Sequence, residues 1–142
     1  MTGHAFQVLL CDDAIRSCLG SVRSRLKPGG RFAFESRNPD AKAWDEWASA
    51  STMIVPGREA WGPVTIERRR IERKDELVSF ETQYSFGDGT VILSRSALRF
   101  ASKDRIGELA REAGVTDVVW YGDWDQSPVM PTSRELIVVG SF

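Results

Sequence analysis

The chain has 142 residues, which is enough for one hydrophobic core but short for two domains. Its 42% hydrophobic, 10% aromatic and 27% charged residues are typical of a globular protein and exclude the disordered and collagen-like classes. Because 19 basic residues oppose 20 acidic ones, the formal charge is -1, and we expect neither a nucleic-acid partner nor a membrane partner.

The N-terminus and the cysteines predict the cellular compartment. No basic segment followed by an apolar run opens the chain, and no apolar run approaches the roughly 20 residues that span a bilayer. Cys11 and Cys18 form no C-x-x-C pair and have no histidine at metal-ligand spacing. We therefore expect a cytoplasmic protein with free thiols and without a metal site.

The first elements in chain order are a helix and a buried strand. Asp12 or Asp13 is the predicted N-cap of the helix. One stripe of that helix is apolar: Ile15, Cys18, Leu19, Val22 and Leu26. A Lys-Pro-Gly-Gly turn at residues 27–30 ends the helix, and residues 31–36 form a short apolar strand. Asn38-Pro39 closes this strand, and a short helix follows.

The middle of the chain has the two-residue period of β-strands. Apolar and polar residues alternate over residues 77–86, and Gly87-Asp88-Gly89 is typical of a hairpin turn. Residues 64–73 and 90–100 complete an antiparallel meander of three strands. We predict a single domain over residues 1–142, in which residues 61–101 are this inserted meander.

The last part of the chain contains a helix and two strands. Ser102 is the predicted N-cap of the helix, and Gly114 occupies its C′ position. Residues 117–121 and 135–140 form the strands. The loop between them, residues 122–133, is aromatic, acidic and far longer than the usual four to six residues. Long loops of this kind often carry function.

Several segments together resemble the C-terminal half of class I S-adenosylmethionine (SAM)-dependent methyltransferases. Residues 26–32, Leu-Lys-Pro-Gly-Gly-Arg-Phe, resemble the turn that leads into the fifth strand of that family. Residues 2–7, Thr-Gly-His-Ala-Phe-Gln, resemble the segment after the fourth strand in a bacterial branch that acts on small molecules. Residues 98–100 and 112–114 resemble the lead-in to the sixth strand, and residues 121–128 resemble the closing loop.

The resemblance implies an α/β fold with a partial Rossmann-like sheet. The fifth, seventh and sixth family strands would lie side by side, with the terminal strand antiparallel between the other two. It also implies SAM as the cofactor and a small molecule as the methyl acceptor. The glycine-rich cofactor loop of the family has no counterpart in the sequence. We therefore expect a truncated methyltransferase, by itself inactive and unable to bind SAM normally.

The resemblance places a partial cofactor site in the first residues of the chain: Thr2, Gly3, His4 and Gln7. His4 is the only histidine and the candidate catalytic base, since an imidazole accepts protons near neutral pH. A disordered terminal position is the alternative for His4. Gln7 either binds cofactor or substrate, or lies on the surface at a helix entry.

The candidate substrate-binding residues come from three places: Arg37, Asn38, Trp44, Trp47, Asp123 and Trp124. Arg37 and Asn38 follow a strand end, where open α/β sheets bind ligands, although Asn38-Pro39 also suits a plain turn. The two tryptophans at positions 44 and 47 share a helical face and either cover a pocket or join the core. Asp123 and Trp124 would recognise a cationic or amine substrate, or else pack the loop.

Two further functions remain open from the sequence alone. One is a non-catalytic module that forms homodimers, and the other is a small α+β protein that binds a small ligand. A homodimer is expected because the strand at residues 31–36 would lack a neighbour on one side, which leaves backbone donors and acceptors open.

Overall fold

A computed structural model describes residues 1–49, 52–57 and 62–142. The described residues divide into two compact units, of which the first comprises Met1–Ala43 with Leu98–Phe142 and the second comprises Trp44–Ala97. Residue 61, where the predicted meander begins, lies outside the described residues. None of the helices in the described ranges is long and apolar enough to cross a membrane.

The helices and strands follow one another along the chain. They are α1 (Asp12–Arg25), β1 (Arg31–Arg37), α2 (Ala43–Ser49), β2 (Met53–Val55), β3 (Val64–Lys74), β4 (Leu77–Phe86), β5 (Val91–Arg99), α3 (Lys103–Glu112), β6 (Asp117–Tyr121) and β7 (Glu135–Ser141). Short 3-10 helices at Ala5–Val8 and Pro39–Ala41 precede α1 and α2.

The two long helices begin in different ways. At α3 the prediction is confirmed, because the Ser102 hydroxyl accepts a hydrogen bond from the Arg105 amide at 3.1 Å. Gly114 follows that helix with φ +86°, as expected for a C′ glycine. At α1 the predicted N-cap was wrong, since Cys11 occupies the position without a side-chain cap. Asp12 lies inside the first turn, where a negative charge interacts favourably with the helix dipole.

The first unit contains a sheet of three strands in the order β1-β7-β6. Both pairs are antiparallel, so the terminal strand lies between the other two and the predicted arrangement is confirmed. Side chains alternate between the two faces of the sheet. Phe34, Leu136 and Val138 share one face and form the core with residues of α1 and α3, among them Ile15, Leu19, Ile106 and Leu109. Glu35, Arg37 and Glu135 lie on the opposite face.

The N-terminal segment packs against β1. The Met1 amino group donates to the Ala33 carbonyl at 2.6 Å, and the Phe6 ring stacks on the Phe34 ring with centroids 3.9 Å apart. We expected a row of open backbone groups along this strand. The Met1 contact occupies one of these groups, the Ala33 carbonyl.

The second unit contains a sheet of four strands in the order β2-β3-β4-β5. The predicted meander is present, with one strand more than expected, since β2 pairs antiparallel with β3. A register shift interrupts β3 between Arg69 and Glu72, and Arg70 there has φ +48°. The hairpin turn before β5 uses Gly89 at φ +90°, and the Asp88 carboxylate accepts from the Thr90 amide at 2.8 Å.

Candidate functional site

Three segments meet at one edge of the first sheet. Arg37 pairs with Glu135 and Tyr121 pairs with Ile137, so the carboxyl ends of β1 and β6 lie beside the amino end of β7. Open α/β sheets bind their ligands outside the carboxyl ends of such strands. We therefore expect a functional site of the first unit at this edge.

A buried acid, Glu35, joins two of the predicted site segments. Its Oε1 accepts from the His4 amide at 2.9 Å, and its Oε2 accepts from the Trp124 indole N–H at 2.7 Å. Glu35 is only 6% exposed. One carboxylate thus brings His4 and Trp124 together across 31 and 89 positions of sequence.

Hydrogen bonds decide the ionisation of Glu35. Burial alone would raise the pKa of its carboxyl group, but the hydrogen bonds from the His4 amide and the Trp124 indole, together with the charge interaction with His4 and the nearby Gly3 amide, outweigh burial. The pKa therefore lies below its usual value of 4.5, and the group is a carboxylate at neutral pH.

His4 is held at its backbone and at its ring. The residue has a left-handed backbone, with φ 59° and ψ 23°, which is uncommon outside glycine. Its Nε2 lies 3.0 Å from Glu135 Oε1. A carboxylate only accepts hydrogen bonds, so Nε2 carries a proton in this contact, and in the neutral form of the ring the lone pair lies on Nδ1. The ring is about one-quarter exposed, at 26% of its side-chain surface.

Gln7 and Arg37 form a second contact at this edge. The Gln7 side chain donates to the Arg99 carbonyl at 3.1 Å and accepts from Arg37 Nη1 at 2.9 Å. Because Gln7 is 1% exposed, its surface alternative was wrong. Both ends of the Gln7 side-chain amide bind protein groups, so this side chain connects Arg37 at the end of β1 with Arg99 at the end of β5.

Asn38 forms the turn that the sequence suggested. Its side-chain oxygen accepts from the Asp40 amide at 3.2 Å, which caps the 3-10 helix that follows. Its Nδ2 donates to the Ser133 carbonyl at 2.9 Å, and the residue is buried. Asn38 therefore connects the end of β1 with the end of the long loop.

The long loop, residues 122–133, is ordered by its own hydrogen bonds. Asp123 accepts from the Trp124 amide at 2.6 Å, and Asp125 accepts from the Ser127 amide at 2.8 Å. The Ser127 hydroxyl and amide lower the pKa of Asp125. At the loop base, a Cβ on Gly122 would lie 2.4 Å from the Ser133 hydroxyl oxygen. Trp124 is 49% exposed although its indole N–H is bound.

Trp44 and Trp47 belong to the second unit, where each ring contacts an arginine. The Arg68 guanidinium lies 4.8 Å from the centroids of both Trp47 and Phe80, and Arg73 lies 4.8 Å from that of Trp44. Trp44 is buried, which agrees with the core interpretation. Thr2, the remaining predicted cofactor residue, is exposed.

Neither Glu35 nor Glu135 is among the residues that the sequence predicts to be functional. One signal was present, because an acid inside the apolar run Phe-Ala-Phe-Glu-Ser is expected to need hydrogen-bond donors when buried. One oxygen of Glu135, Oε2, is buried and has no hydrogen-bond partner among the described residues. Within those ranges, no three acidic, histidine or cysteine side chains lie together as a metal site.

Several solved structures have a fold similar to that of this chain. One match is the CcbJ methyltransferase from Streptomyces caelestis, with a TM-score of 0.66 and 19% identity over 98% of this chain. Another is a SAM-dependent methyltransferase from Clostridium acetobutylicum, with a TM-score of 0.71 and 14% identity over 99% of this chain. SAM-bound CalS10 from Micromonospora echinaspora, an amino pentose methyltransferase, gives 0.66 and 17% over 99%.

The chain has the fold of SAM-dependent methyltransferases. This methyltransferase fold is covered in part, since the chain spans 54%, 56% and 57% of those three proteins. Comparisons with protein-family models and with curated proteins found no match.

Proposed function

We propose that this protein is part of a methyltransferase that transfers the methyl group of SAM to a small-molecule acceptor. The supporting observation is the polar cluster of His4, Glu35, Trp124 and Glu135 at the carboxyl edge of a methyltransferase-type sheet. We further propose a cytoplasmic location, since both cysteines are free thiols.

Three residues of the cluster, His4, Glu135 and Trp124, have a proposed role in the reaction. SAM supplies a methyl group on a sulfonium that is already a good leaving group, so the protein mainly positions the acceptor. His4 Nδ1 accepts the proton that the acceptor loses, while Glu135 holds Nε2. The exposed ring of Trp124 and the neighbouring Asp123 contact the acceptor, and a ring face with a carboxylate suits an amine or a cation.

The cofactor site requires more than the described residues. Among them, no glycine-rich turn leads from the end of a strand into a helix, as close approach to a nucleotide requires. The His4 amide already donates to Glu35. We therefore propose that SAM binding needs an additional glycine-rich segment, and that residues 1–142 alone bind SAM and its demethylated product weakly.

Titration calorimetry tests whether SAM binding needs a segment in addition to residues 1–142. The 142-residue chain should show no saturable binding of SAM, whereas a chain extended in frame at its N-terminus should bind it. In the extended chain, His4→Ala should retain SAM binding and lose turnover against a panel of small amines and alcohols. A micromolar dissociation constant for SAM on the 142-residue chain would refute the need for an additional segment. An extended chain that binds no SAM would refute the proposed methyltransferase function.

One observation favours a second function, a non-catalytic homodimer. Val91, Ile92 and Leu93 on the outer strand β5 are 50–60% exposed. An apolar outer strand tends to pair with another chain, and a second copy of this protein is the partner we propose. Such an interface would bury about 1,000 Å² or more.

Sedimentation equilibrium at micromolar concentration tests the homodimer. Ile92→Lys should shift the distribution toward the 15.9 kDa monomer. Val8→Lys, at a residue 60% exposed in the other unit, should leave it unchanged. A wild-type chain that sediments as a monomer at every concentration would exclude this proposal.

A further inference from the structure

We propose that Glu35 is a positioning residue, which fixes the base His4 and the aromatic side chain of Trp124 relative to each other. This inference rests on the function proposed above, because it assigns both residues to one reaction site. It adds a residue that carries no predicted role and whose two carboxylate oxygens each accept a hydrogen bond from the protein itself.

The His4 side of the contact depends on an unusual turn. Gly3 and His4 both have positive φ, at 70° and 59°. Successive amides in such a turn point into a shared concavity that favours an anion. The Glu35 carboxylate lies at this turn, where the His4 amide donates to Oε1 at 2.9 Å and the nearby Gly3 amide helps to lower the pKa of the carboxyl group. The turn at Gly3 and His4 is thus stabilised by the negative charge of Glu35 on β1.

The Trp124 side of the contact orients an otherwise exposed ring. Its indole N–H donates to Glu35 Oε2 at 2.7 Å, and about half of its surface, 49%, is exposed. Binding through the ring edge leaves a ring face for an acceptor. Because hydrogen bonds to a charged group are shorter and stronger than neutral ones, this bond restricts the ring more than loop packing alone.

Both contacts converge on one residue of β1, which is rigid. Glu35 pairs with Ile137 in the middle of the β1–β7 ladder, and it is almost fully buried. Side chains held on strands place a site more accurately than side chains held by loops. Glu35 therefore transfers the rigidity of the sheet to two loop residues.

NMR spectroscopy of the 15N-labelled 142-residue chain, which follows backbone amide and indole N–H signals, tests the proposal. The chain has five tryptophans and therefore five indole N–H signals, and Trp124→Phe identifies the relevant one. Between pH 7 and pH 3, the Trp124 indole and the His4 amide should shift with one common midpoint, below the usual glutamate value of 4.5. Different midpoints, or no shift in either signal, would overturn the proposal.

Two variants separate positioning from general stability. Glu35→Gln should abolish the common titration and accelerate solvent exchange of both protons by roughly tenfold or more, since hydrogen bonds to a charge are lost. The control Glu112→Gln removes a carboxylate that pairs with Arg16 in the same unit, and it should change neither signal. A folded Glu35→Gln chain with unchanged exchange would refute the inference.

If Glu35→Gln does not fold, the wild-type titration decides the question by itself. Neither SAM nor an acceptor is present in these measurements. Failure of the proposed methyl transfer is therefore distinguishable from failure of the Glu35 contact.

Discussion

Replacing Gly140 by alanine should destabilise the first unit, because β7 leaves no room for a side chain at this position. Gly140 lies on the central strand, opposite Phe32 on β1 and Val118 on β6. An added Cβ would lie 2.6 Å from Phe32 Cζ and 3.1 Å from Val115 Cγ1. The Phe32 ring cannot turn away freely, since it contacts the rings of Phe34 and Phe142 at centroid distances of 6.2 and 5.4 Å.

The magnitude follows from the cost of overpacking a core. One extra methyl group in a filled space typically costs about 1–3 kcal/mol. Against a total stability of about 5–15 kcal/mol, this is a measurable fraction of the free energy of unfolding. At about 2–4 °C per kcal/mol for a chain near this size, the melting temperature should fall by about 2–12 °C.

Thermal unfolding followed by circular dichroism measures this effect. Gly20→Ala in α1 is the matched control, since nothing lies within 4 Å of its added Cβ. That change should stabilise the helix by about 0.5–1 kcal/mol, so the same substitution has opposite signs at the two sites. In a Phe32→Leu background, Gly140→Ala should cost less, with a coupling of at least about 0.5 kcal/mol. A Gly140→Ala chain that melts at or above the wild-type temperature would show that the packing argument is mistaken.

Two further predictions concern charge and the long loop. Hydrogen bonds from Arg105 and Arg99 lower the pKa of Asp12 from 3.8 to about 2. Because the folded-state pKa is depressed, the stabilisation is complete above pH 3.8 and is lost as the pH falls toward 2. Urea unfolding between pH 5 and pH 2 should therefore show a steeper loss for wild type than for Asp12→Asn, and equal slopes would contradict it. In the N-terminally extended chain, Asp123→Ala or Trp124→Ala should raise KM for the acceptor roughly tenfold, while KM for SAM changes little. Equal effects on both constants in steady-state kinetics would assign the loop to packing.

Local signals in the sequence predicted much of the fold. The serine before α3 and the glycine after it mark that helix, because caps and positive φ are properties of neighbouring residues. The Lys-Pro-Gly-Gly turn likewise predicted the entry into β1. The position of β7 between β1 and β6 came from the family resemblance and agrees with the structure.

Other features depended on contacts between distant residues. The strand β2 has three residues and exists by pairing with β3, so it is too short to show a period of its own. Asp12 was expected to cap α1, but it binds arginines 87 and 93 positions away.

The sequence by itself determined the order of the helices and of the strands other than β2, and the segments that carry His4 and Trp124. Only the tertiary structure decided that Glu35 joins these two residues and that Glu135 binds the His4 ring. The reason is physical. Propensity, capping and periodicity act over a few residues, whereas the donors that satisfy a buried carboxylate come from any segment that the sheet brings within about 3 Å.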